Sequence, residues 1–109
     1  MDARLYDDVL AFTECIKETP EYREYIEKKR LIAANPELLE KAEQLKKENM
    51  ELISSFEAGK DTLEELMRFA DKYEDAFLEP VINDYLLAEA AFCKMMREIL
   101  TMTMERIDF

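Results

Sequence analysis

The 109-residue chain has no histidine and no tryptophan, a single glycine, two cysteines and three prolines. Without histidine it lacks the commonest general base, every Ser-His or Cys-His nucleophile pair, and the most frequent transition-metal ligand. One glycine, Gly59, cannot build a phosphate-cradling loop, so no P-loop or dinucleotide fingerprint is present. Cys15 and Cys93 show no Cys-x-x-Cys spacing, which argues against a metal site or a dithiol. Such thiols read as buried and reduced, and a reducing cytoplasm is the expected home. No uncharged run approaches the roughly 20 apolar residues of a membrane span. The opening Met1–Asp8 has neither the basic start nor the apolar middle of a signal peptide. These gaps predict a protein that is not an enzyme and needs no cofactor or metal.

Charge, by contrast, is abundant. Charged residues make up 38% of the chain and the net charge is −11, which repels phosphate and disfavours direct nucleic-acid or anionic-membrane binding. It leaves basic protein partners open. With 49% hydrophobic residues and few turn formers, the composition predicts long helices in one domain, residues 1–109.

The longest pattern is the last. Val81, Tyr85, Ala88, Phe92, Met95, Ile99 and Met102 are spaced four, three, four, three, four, three, a seam along one helix face. A second seam beside it contains Ile82, Leu86, Glu89, Cys93, Met96, Leu100, Thr103 and Ile107. Together they form a stripe wider than one neighbouring helix covers, which predicts several neighbours or a second chain. Pro80 opens this helix, where a missing N–H costs nothing.

Earlier helices are punctuated clearly. The first runs from Asp2 to about Glu18 with Leu5, Val9, Phe12 and Ile16 on one face. Thr19-Pro20-Glu21 and Asn35-Pro36-Glu37 each read as cap, proline, acid, starting the second and third helices. Leu38, Ala42, Leu45, Asn49, Leu52 and Phe56 form the third helix's seam, with Lys46 alongside; Asn49 is a candidate for fixing register. Gly59 marks the best turn, and Thr62 with Glu65 spells a capping box for a fourth helix carrying Leu63 to Phe77. The expected fold is all-α: an antiparallel bundle of about five helices with a long C-terminal helix, dimeric through that helix.

The acids at Glu21, Glu24, Glu27, Glu37, Glu40 and Glu43 alternate with lysines, as on a solvated face, and no Glu-x-x-His pair completes a di-metal site. Glu89 differs, because it interrupts an apolar seam. A buried carboxylate needs a partner, and Arg4, Arg68 or Arg97 are the candidates. Met95, Met96, Met102 and Met104 suit a core or dimer seam, and equally a face that adapts to several partners.

Thr19-Pro20-Glu21-Tyr22-x-x-Tyr25, Asn35-Pro36-Glu37-Leu38 and Pro80-Val81-x-x-x-Tyr85-Leu86-x-Ala88-Glu89, then Met95-Met96-x-x-Ile99, resemble the YlbF/YmcA family of small helical proteins of Gram-positive bacteria, which includes YheA-like members. The resemblance implies a cytoplasmic regulatory protein without enzyme activity, linked to competence, sporulation and biofilm formation. It also implies partners: itself as a homodimer, related helical proteins, or a complex that assists an endoribonuclease. Some members hold iron–sulfur clusters through cysteines, a pattern that two dispersed cysteines do not reproduce. The residues expected at the oligomer or partner interface are Val81, Tyr85, Ala88, Glu89, Phe92, Met95, Met96, Ile99 and Met102. The competing expectation is a small helical homodimer that holds an apolar ligand or serves an unrelated structural role.

Overall fold

A computed structural model describes residues 1–107. Six helices follow in order: α1 (Ala3–Lys17), α2 (Pro20–Ala33), α3 (Pro36–Glu57), α4 (Leu63–Lys72), α5 (Glu74–Leu78) and α6 (Pro80–Arg106). There is no strand among the described residues. The domain assigned above to 1–109 includes two positions, 108 and 109, outside the described range.

The starts follow the punctuation. Thr19 Oγ1 accepts from the Tyr22 N–H and Asn35 Oδ1 from the Leu38 N–H, with proline at the first position of both helices. Asp2 caps α1 and Glu79 caps α6. At the end of α3, Gly59 takes φ +82°, Lys60 N–H donates to Ser55 O, and Gly59 N–H donates to Phe56 O. That pair of bonds is a Schellman closure, which needs a left-handed residue where glycine stands. The Thr62–Glu65 capping box does not form. Asp61 Oδ1 accepts the Leu63 N–H instead, and the Thr62 side chain makes no cap bond.

The fourth helix expected from the sequence is two pieces, broken at Tyr73. The bend places Tyr73 and Ala76 in the core, each almost free of solvent. Burial of a tyrosine ring and its neighbour outweighs the few tenths of a kcal/mol of local helix preference there.

α2 is the principal neighbour of α6 and runs antiparallel to it. Tyr22 and Tyr25 meet Phe92 at 5.6 and 5.3 Å between ring centroids, and Tyr25 meets Tyr85 at 6.2 Å. α3 also turns back on α2, so α3 and α6 run in the same direction. The core gathers at one end: Ile32, Ala42, Leu45, Tyr73, Ala76, Ile82 and Tyr85. The other end has almost none. α1 contains no buried residue, and its main contact is with α2.

Candidate interaction surface

The long seam of α6 divides into two halves. In its first half Ile82, Tyr85 and Ala88 are buried by the chain itself, and Val81 is half-buried beside them. Phe92, Met95 and Ile99 are half-buried; Phe92 lies stacked on Tyr25 with ring planes 3° apart. Beyond them the helix is bare: Leu100 is 61% exposed, Met102 57%, and Met104 is exposed too, as are Met96 between the half-buried residues and Ile107 just past the helix end. Of the nine expected interface residues, then, Tyr85 and Ala88 belong to the chain's own core. Met96 and Met102 stand free, and Phe92, Met95 and Ile99 form the boundary.

Glu89 sits at the centre of a polar cluster. Lys46 of α3 donates from Nζ to Glu89 Oε2 at 2.8 Å and to the Tyr85 hydroxyl at 3.1 Å. Tyr85 donates onward to Glu43 Oε1 at 3.2 Å, and Glu43 also lies 3.2 Å from Lys46 Nζ. The partner is this lysine and none of the expected arginines, a correction with a simple cause. α3 lies alongside α6 in parallel, and Lys46, adjacent in sequence to the core residue Leu45, projects at the depth of Glu89. Burial acts to lower the Lys46 ammonium, but its bonds to Glu89, Tyr85 and Glu43 outweigh that and hold it above its ordinary value. Burial first, and then the Glu89 charge, push the Tyr85 phenol up to about 12 despite the opposing bond from Lys46. The cluster ties α3 to α6 chiefly through Lys46 and Glu89, whose side chains are only about a quarter exposed.

A second tie joins α3 to α4, where Lys72 Nζ donates to Glu48 Oε1 at 2.6 Å. Beside it Tyr73 is buried, and its hydroxyl finds no hydrogen-bond partner among the described residues. Asn49, expected within the seam of α3, is exposed on the lip of a groove lined by Leu45, Phe69, Phe77, Leu86, Ala90 and Cys93. That groove, about 300 Å³, is open to solvent, whereas small-molecule sites enclose most of their ligand. It lends the apolar-ligand expectation no enclosed site.

Both cysteines are exposed, contrary to the expectation of buried thiols. Cys15 lies on α1, and Cys93 lies on α6 at the rim of that same open groove. They supply two of the four thiolates an iron–sulfur cluster takes, and they do not fit one. No three acidic, thiol or imidazole groups converge to hold a metal ion among the described residues. No helix among them is long and apolar enough to cross a membrane.

The surface that stands out is apolar and helical. α1 exposes Leu5, Tyr6, Val9, Leu10 and Phe12; the second half of α3 exposes Met50, Ile53 and Phe56; α4 exposes Leu63, Leu66 and Met67. Monomers seldom leave so much large apolar surface in water. Periodicity marked these residues as buried faces, but periodicity does not say which chain buries them.

A family model described as "Control of competence regulator ComK, YlbF/YmcA" matches residues 5–108, nearly the whole chain. No curated protein and no solved structure gives a significant match.

Proposed function

The chain belongs to the YlbF/YmcA family, and from that premise we propose that it is a non-enzymatic adaptor in a regulatory complex. It works by burying its bare helical faces against other helices, its own copies first. The observation that carries this reading is the uncovered apolar face of α1 together with the C-terminal half of α6. Helix-on-helix docking uses apolar residues at such spacings, and the methionines Met96, Met102 and Met104 allow one face to repack against more than one partner.

The family's name places it in control of a competence regulator, and an adaptor is a form of control that needs no catalytic group. The net charge of −11 suits a basic protein partner and disfavours direct contact with RNA, so an effect on transcripts would pass through such a partner, an endoribonuclease complex in this proposal. The cluster of Lys46, Tyr85 and Glu89 contributes selectivity indirectly, by fixing how α3 and α6 present their outer faces. Nothing in this scheme requires a cofactor, and the protein would act in the cytoplasm.

Affinity purification from the native organism tests the proposal, with the wild-type chain and Glu89→Ala compared. Recovery of a related helical protein or a ribonuclease component, weakened in the variant, is the expected result. If the protein recovers only itself, and its deletion leaves transcript processing unchanged, the adaptor reading fails.

A further inference from the structure

We propose that two copies exchange their bare helices: α1 of each lies on the C-terminal half of the other's α6, across a two-fold axis. The proposal rests on the association reading above and names the first partner and its register.

Four observations carry it. Both bare segments leave the fold at one point, because α1 leads directly into α2 and the start of α2 meets α6 at Phe92. They match in reach: α1 has 15 residues, and α6 runs 15 more from Phe92, where α2 begins to meet it, to Arg106, about 22 Å at 1.5 Å per residue, half-covered at Phe92, Met95 and Ile99 and bare past them. Within one chain they do not pack substantially on each other, so neither is the other's partner there. Their charges are complementary. Asp7, Asp8 and Glu14 outnumber Arg4 and Lys17 on α1, whereas Lys94, Arg97 and Arg106 outnumber Glu98 and Glu105 on the α6 segment, a basic stretch in a strongly acidic chain.

The area is also sufficient. About ten large apolar side chains are near half-exposed on the two segments, and at roughly 100 Å² each they offer about 1,000 Å² per copy, against the ~800 Å² per partner of a stable interface. A reciprocal contact uses both segments twice and closes, which leaves no sticky end to propagate.

Charge reversal on full-length protein tests this directly. Asp8 follows Leu5 by three residues and precedes Phe12 by four; Glu14 follows Leu10 by four; Arg97 and Arg106 flank Leu100 and Met102. All four are exposed, so their replacement leaves each chain's own core intact. By light scattering, Asp8→Lys with Glu14→Lys, or Arg97→Glu with Arg106→Glu, should each halve the mass relative to wild type, with helical circular dichroism retained. Mixing the two variants, or combining all four reversals in one chain, should restore the doubled mass. The combined variant also serves where one pair of reversals proves insoluble. Reversals that leave the mass doubled, or a mixture that stays at single mass, overturn the exchange while leaving the adaptor reading to its own purification test. Dissociation by Glu51→Lys with Glu57→Lys instead would move the contact to α3 and overturn it as well.

Discussion

Lys46 is the residue on which the joint between α3 and α6 depends. It reaches Glu89, Tyr85 and Glu43 at once, and its side chain, like that of Glu89, is about a quarter exposed. Hydrogen bonds to charged groups in such surroundings contribute about 1.5–3 kcal/mol. Lys46→Ala should therefore cost about 2 kcal/mol in urea denaturation, and a double-mutant cycle with Glu89→Ala should show coupling near 1 kcal/mol. The cycle on Arg68 and Glu64, a pair mostly in water, should show under about 0.5 kcal/mol. Equal coupling in the two pairs would contradict this account. The same cluster sets a pH limit. Native Lys46 and Tyr85 keep their protons to higher pH than the unfolded groups do, so their contribution is whole below about pH 10 and is lost as pH rises through the native values. The melting temperature should fall steeply above about pH 10, and Tyr85→Phe should make that fall shallower; parallel curves would refute the assignment.

Among the elements, the ends of helices were written plainly in the sequence and their interruptions were not. Thr19-Pro20, Asn35-Pro36 and Pro80 each start a helix where local chemistry requires it, and Gly59 closes α3. An added Cβ at Gly59 would meet nothing within 4 Å, so Gly59→Ala isolates the backbone strain of a positive φ. A loss of about 1 kcal/mol in thermal or urea unfolding is expected, and an unchanged midpoint would contradict the closure described here. The break at Tyr73 carries no such signal, since Phe69, Tyr73 and Phe77 keep helical spacing across it. It is imposed by the core, which takes in Tyr73 and Ala76 together. Glu89 was legible as a carboxylate needing a partner, but its partner was not. Lys46 is 43 residues away, and only the packing of α3 on α6 brings them together. Likewise the seam of α6 reads as uniform from Val81 to Met102, although its first half is covered within the chain and its second half is not.

For the molecule as a whole, the shape agrees with the bare helices. The radius of gyration is 17.7 Å, with extents of 50 × 38 × 20 Å, whereas a compact domain of this length has about 13 Å. Eight hydrophobic residues are buried among the described residues, too few for an ordinary single-chain core. On the proposed reading, a chain that encloses so little of its apolar surface encloses the rest with another. The most direct test is the mass of the unaltered protein by light scattering at micromolar concentration. Association through the bare faces predicts at least twice the 12.9 kDa of one chain. A folded, stable species at the single-chain mass would contradict it.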